Sequence, residues 1–162
     1  MKNLNVIVLI FWVHHSFSAR LNAQDPKLES QFKQIGIDYS YDQNGNRYKF
    51  IFDVGDGRTQ LVLMNANTYD VAGTKIREIY SVAANTQNRT DYSQRTLFNL
   101  LEKNFNYKIG GWQMHGGEPP YQLQFAIRIP AYVDDDYLLE LLIQAAREAD
   151  QIEKELTGED EF

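Results

Sequence analysis

Two rhythms of apolar residues divide this chain. From Arg47 to Met64 (RYKFIFDVGDGRTQLVLM) the rhythm has a period of two: Tyr48, Phe50, Phe52 and Val54 alternate with Lys49 and Asp53. That is the pattern of a strand with one dry and one wet face. Gly55-Asp56-Gly57 supplies residues that tolerate positive φ where the chain reverses, and Leu61 and Leu63 are expected to continue the apolar face on the returning strand. Each large side chain buried in this hairpin contributes roughly 1.5–3 kcal/mol, which makes it a centre of the expected core. The clearest alternation is later: Tyr121, Leu123, Phe125, Ile127 and Ile129 face one way, Gln122, Gln124 and Arg128 the other, and Pro130 stops the strand. Tyr107–Met114 is predicted to pair with it across Gly116–Pro120. Two more strands are predicted at Ile37–Tyr41, followed by an Asn44-Gly45 type I′ turn, and at Lys75–Ala84, with Ile76, Tyr80 and Val82 in phase.

The second rhythm is helical. Pro26–Ile35 places Leu28, Phe32 and Ile35 on one face, with Asp25 as cap, Pro26 in the first turn and Gly36 as terminator. Asp91–Asn104 is predicted to bury Leu97, Leu100, Leu101 and Phe105. In Asp135–Leu156, Leu138, Leu142, Ala145, Ala149, Ile152 and Leu156 form an a/d stripe, opposite Glu140, Glu148, Glu153 and Glu155. This stripe is expected to pack on the chain's own sheet before serving any dimer. Residues 65–74 and 85–90 read as polar loops. The order α-β-β-β-β-α-β-β-α indicates an α+β domain, an antiparallel sheet with helices on one face.

Composition changes this picture in two ways. The sequence of 162 residues holds no cysteine, which excludes a disulfide framework, a thiolate zinc site and a thiol nucleophile. Its first 23 residues read as a secretory signal: Lys2, then the ten-residue apolar run Leu4–Val13, then small residues with cleavage points after Ser18 or, preferably, Ala23. The run is too short to span a bilayer. The expected parts are thus a signal over 1–23, one domain over 24–157 and an acidic, disordered tail over 158–162. The mature chain then keeps 14 basic and 22 acidic side chains, a net −8. Eleven of the acids lie from Asp134 onward, and no basic stripe exists to neutralise phosphates, so nucleic acid is disfavoured as a partner.

Catalytic signatures are sparse. His14 and His15 leave with the signal, so only His115 remains, beside a Gly-Gly turn. Zinc ligation by several histidines and an HExxH helix are both ruled out, and no G-x-S-x-G, P-loop or G-x-G-x-x-G occurs. No cofactor or metal is expected. Asp42–Asn46 departs from a calcium loop and reads as a hairpin turn, and Asp134–Asp136 suits a helix N-terminus. Asn88-Arg89-Thr90 matches a glycosylation sequon. The candidate site rests on aromatic residues. Tyr39, Tyr41, Tyr69, Tyr132 and Tyr137 are candidates to line a groove for peptide or sugar, against the alternative of rimming the core with wet hydroxyls. Trp112 and His115 complete the set, beside Gly110-Gly111, where a strand bulge or close backbone approach is the competing reading.

Several stretches in order resemble the YbjN family of bacterial proteins, whose fold is similar to type III secretion chaperones. They are the helix ending Ile35-Gly36, Asp42–Val54, Ile79-Tyr80-Ser81, Leu97–Asn106 running into Lys108-Ile109-Gly110, and Ile127-Arg128-Ile129-Pro130 ahead of the long helix. The resemblance covers residues 26–156. It implies a non-enzymatic, protein-binding or regulatory role and supplies no catalytic residue; an export signal departs from a cytosolic role. The expectation is therefore an exported protein- or peptide-binding module, periplasmic or extracellular, with no membrane anchor after cleavage. The alternatives are a small-molecule binder or enzyme using Trp112, His115 and nearby acids, and a self-associating structural subunit, for which a homodimer is the simplest form. Intact-mass measurement of the protein from its native host is expected to show the loss of about two dozen residues, ending near Ala23. A full-length cytosolic product overturns this.

Overall fold

The computed structural model describes residues 24–158 and 160–162. The proposed signal lies outside the described residues. Three helices and seven strands follow in the order α1 (Pro26–Ile35), β1 (Ser40–Asp42), β2 (Arg47–Gly55), β3 (Arg58–Asn65), β4 (Tyr69–Val71), β5 (Thr74–Thr86), α2 (Gln94–Asn106), β6 (Gly111–His115), β7 (Tyr121–Pro130) and α3 (Asp135–Leu156). All strand pairs are antiparallel, in the spatial order β1-β2-β3-β5-β7-β6. The architecture is the α+β sheet with three helices that the hydrophobic pattern predicts. β4 adds a seventh strand: it pairs with the start of β5 inside the segment expected to be a loop. Its turn, Ala72-Gly73, has φ of 50° and 83°, the left-handed pair of a two-residue hairpin.

β5 is the axis of the sheet. Over its length it pairs with β7 on one edge and with β3 and β4 on the other. The core lies between this sheet and the helices. Tyr48 and Phe50 (β2), Val62 and Met64 (β3), Ile79 (β5) and Leu123, Phe125, Ile127 and Ile129 (β7) are buried against Leu28 and Phe32 (α1) and Leu138, Leu142, Ala145, Ala149 and Ile152 (α3). The alternation in β2 and β7 and the a/d stripe of α3 thus face the interior as predicted. The stripe packs on the chain's own sheet, so its apolar residues are covered before any second copy could use them. No described helix is long and apolar enough to cross a membrane.

The returning strand corrects an expectation. Phe50 pairs with Val62 and Tyr48 with Met64, so these four share the helix side. Leu61 and Leu63 therefore face outward, where Tyr80, Val82 and Ala126 join them in a second cluster. Residues directly opposite in a ladder share a face, and register decides which of two apolar sets goes inside. Val62 and Met64 are as apolar as Leu61 and Leu63, so periodicity alone left the choice open.

Local signals set several ends. Asp25 Oδ1 accepts from the amides of Lys27 and Leu28 at 3.1 and 3.4 Å, and Gly36 takes φ +78° at the end of α1. Asp56 and Gly57 form the β2–β3 turn with φ of 55° and 73°. The Asn44-Gly45 turn differs from expectation. Asn46, not Gly45, is left-handed, and the loop spans four residues between the paired Asp42 and Arg47. A Cβ at Gly45 would lie 2.5 Å from Arg47 Nε and 2.7 Å from Asp42 Oδ2, so a larger residue there would displace the ends of these two side chains. β1 covers Ser40–Asp42 instead of Ile37–Tyr41, and α2 starts at Gln94 because Ser93 caps it, its hydroxyl accepting from the Thr96 amide at 3.0 Å. β6 starts only at Gly111. Gly110 has φ +79°, and a Cβ on it would come within 2.8 Å of Ile127.

α2 departs most from expectation. Leu100 is buried, but Leu101 and Phe105 are exposed. α2 packs closely only on β6, at the margin of the sheet, so too little surface lies beneath it to cover its apolar residues. In the tail, expected to be disordered, Asp160, Glu161 and Phe162 make defined contacts with α3, β3 and the outer cluster.

Two outcomes test this packing. Phe125, fully buried beneath Tyr107 and Trp112, should cost about 3–5 kcal/mol on replacement by alanine. Half-buried Phe52 should cost clearly less in the same urea titration, and equal losses would contradict the facing of β2 and β7. The second concerns Tyr48, whose hydroxyl burial pushes up to about 12 despite the Asp25 amide it accepts. A phenol whose pKa is raised by folding resists ionisation, so the native state loses stability as pH rises from the unfolded value near 10 to about 12. The melting temperature of the parent should fall across that window, and Tyr48→Phe should fall less. Parallel curves would refute the assignment.

Candidate functional site

The site is built on a buried charge. Arg77 of β5 points to the helix side and is 1% exposed. Its Nη1 donates to the carbonyls of Asn65 and Ala66 at 2.9 and 2.6 Å, where the chain leaves β3. Its Nη2 meets Asp25 Oδ2 at 2.9 Å. That carboxylate also caps α1 and accepts from the Tyr132 hydroxyl at 2.9 Å. Burial lowers the Arg77 pKa, and Asp25 opposes that shift. Burial and Asp25 together raise the Tyr132 phenol, which keeps it a hydrogen-bond donor.

From this node Tyr132 reaches the rim of a groove of about 920 Å³ between α1 and the start of α3. Lys27, Ser30, Gln31 and Gln34 form one wall, and Tyr132, Val133, Asp134–Asp136 and Tyr137 the other. Gln31 Nε2 ties the walls together, donating to Val133 O at 2.7 Å and Asp135 Oδ1 at 2.9 Å. The Lys27 ammonium lies 3.8 Å from the centre of the Tyr132 ring, a cation–π contact. The groove is open and mostly polar. It offers two half-exposed phenol rings beside carboxylates.

The remaining aromatic candidates lie elsewhere. Tyr39 and Tyr41 pack with Phe32 and Tyr48 at the β1 edge, with ring centres 5.0–5.8 Å apart, so they rim the core instead of lining a groove. Tyr69 and His115 share a smaller concavity of about 440 Å³ on the outer face, with Val71, Ile76, Glu78, Gln113, Met114 and Arg128. Trp112 is buried on the helix side against Phe125. Three positions separate Trp112 from His115, and an odd spacing in a strand sends them to opposite faces. They therefore cannot converge on one ligand, and the seven aromatic and histidine candidates fall into four places. No group of three or more His, Cys, Asp or Glu side chains fit to hold a metal occurs among the described residues.

One surface is missed by reading α2 as a core helix. Phe98, Leu101 and Phe105 are 56%, 61% and 88% exposed and stand at i, i+3 and i+7, a single outward stripe. Leu100 and the Asn104 side chain hold the other side of the helix down. Asn104 accepts from the Trp112 amide at 2.6 Å and donates to its carbonyl at 3.2 Å, so it pairs with edge strand β6 as a strand would. The signal is present in the sequence: LFNLLEKNF carries more apolar residues than one buried face can use.

No family model matches the chain, and neither the curated proteins nor the solved structures include a significant match. The functional reading rests on the surfaces themselves.

Proposed function

We propose that this chain is an exported, non-enzymatic module that binds a protein or peptide, with a chaperone-like or regulatory role. The observation that carries the reading is the stripe of Phe98, Leu101 and Phe105 on α2. The other two helices bury their apolar faces on the sheet, whereas α2 turns its largest side chains to solvent on a helix anchored by Leu100 and Asn104. An apolar stripe on an anchored helix is the form in which helices present themselves to a partner. The sequence resemblance to the YbjN family, whose fold is similar to type III secretion chaperones, implies the same class of role. The α1–α3 groove, with Tyr132 and Tyr137, is a second contact region on the helix side.

Self-association uses the same surface in this reading, since the stripe of α3 is buried and that of α2 is not. The test combines Leu101→Ser with Phe105→Ser. Both side chains are exposed, so the melting temperature should hardly move. Pull-down from an envelope extract with the parent chain should recover a partner that the double variant binds at least roughly thirtyfold more weakly, the ratio that corresponds to the loss of about 2 kcal/mol at an interface anchor. Sedimentation of the parent separates a foreign partner from a second copy. Unchanged capture by a folded double variant would refute the role of α2.

A further inference from the structure

The proposed cut after Ala23 leaves Asp25 as the second residue on its far side. In the folded chain every hydrogen-bonding group of Asp25 is engaged. Its amide donates to the Tyr48 hydroxyl at 2.6 Å, and its carbonyl accepts from the Glu29 amide at 3.0 Å, the first backbone bond of α1. Oδ1 caps the same turn, and Oδ2 takes Arg77 Nη2 and the Tyr132 hydroxyl, both at 2.9 Å. Pro26 follows as the first residue of the helix, its φ fixed by the ring. Only Gln24, between Asp25 and the cut, is exposed and outside the helix. A protease takes its substrate as an extended segment and hydrogen-bonds to main-chain groups on both sides of the bond it cuts. Burial and hydrogen bonding of that backbone decide whether a segment can enter the cleft.

We infer that the fold closes its own processing site: the Ala23–Gln24 bond is open to a peptidase only before Asp25 docks on Arg77 and Tyr48. The inference rests on the reading of residues 1–23 as a cleaved signal. To enter a cleft, Asp25 has to give up both of its main-chain bonds, and its departure leaves the buried Arg77 guanidinium without its counter-charge. Cutting of the folded chain therefore waits on local opening, and its rate follows the small population of the open form. The alternative cut after Ser18 makes Asp25 the seventh residue beyond the bond, clear of a cleft that grips only the nearest few. Processing before folding thus yields Gln24 as the first residue. A chain that folds first is cut only further upstream and keeps extra residues ahead of α1. Asp25 sets the order of the two events.

The experiment uses the full chain, either folded or diluted from urea straight into the protease, and reads the products by intact mass. With a bacterial signal peptidase, the freshly diluted chain should be cut after Ala23, and the folded chain at least about a hundredfold more slowly at that bond. Tyr48→Phe frees the Asp25 amide, and Asp25→Asn keeps a helix cap but removes the counter-charge. Each should speed cutting of the folded chain after Ala23 about tenfold, with circular dichroism reporting that the variant is folded. Should Asp25→Asn fail to fold, Tyr48→Phe decides. A second probe needs no signal sequence: a brief pulse of proteinase K on the folded chain should leave a fragment that begins upstream of Gln24. Equal rates after Ala23 for the folded and diluted chains, or a proteinase K fragment that begins at Gln24 or Asp25, overturns the inference. No cut after Ala23 in the diluted chain overturns the reading of a signal instead, and proteinase K then decides the closure by itself.

Discussion

The ion pair between Arg77 and Asp25 holds together parts of the chain that nothing local would bring together. Arg77 sits on the central strand with its guanidinium under the helix layer, and a charge in that position needs a counter-charge and hydrogen-bond acceptors. Two carbonyls at the exit of β3 and the carboxylate of Asp25 supply these to Nη1 and Nη2, while Nε is buried without a hydrogen-bond partner. Asp25 in turn fixes where α1 begins, and its backbone amide holds the Tyr48 hydroxyl at 2.6 Å. Tyr132, on the link from β7 to α3, closes the set. One carboxylate thus sets the start of α1, the exit of β3 and the entry to α3. Removing one member of such a pair leaves the other charge buried, a loss of about 3–5 kcal/mol in comparable cases.

The rest of the fold follows from that anchoring. With α1 and α3 held on one face, the sheet has a packed side and an outer side, and each apolar set must go to one of them. α3 spends its leucines and alanines on the sheet and turns Glu140 and Glu155 to water. α2 lies beyond this arrangement, over the β6 margin, joined to α3 by side chains only: Tyr107 to Glu148, and Lys103 to Glu155 at 3.8 Å. A helix placed at a margin has one side to bury, and its surplus apolar residues become surface. The exposed stripe is therefore a consequence of position as much as of composition.

The candidate site was legible only in part. Tyr132 and Tyr137 do line a groove, and Tyr69 meets His115 in another. Nothing in the spacing of these residues showed that Tyr39 and Tyr41 would be drawn into ring contacts with Phe32 and Tyr48, or that Trp112 would be core. A tyrosine is equally suited to a groove and to a core rim, and the choice depends on which residue lies opposite. Arg77 reads in sequence as one polar residue of a strand, because its partner Asp25 lies 52 positions away and already has a sufficient local role as a helix cap.

The amino-acid sequence by itself determined the elements and most of their inward faces. α1 begins at the cap that Asp25 supplies, α3 covers the residues its periodicity specifies, and β7 buries Leu123, Phe125, Ile127 and Ile129 of the alternation that identified it. These are properties of period and of near neighbours, which a chain carries wherever it folds. Tertiary structure alone decided which of two equally apolar sets in β3 faces inward, that β4 pairs with β5, and that α2 shows Phe98, Leu101 and Phe105 to solvent. Burial is a relation between segments distant in the chain, and a side chain's own neighbours in sequence do not say what will cover it.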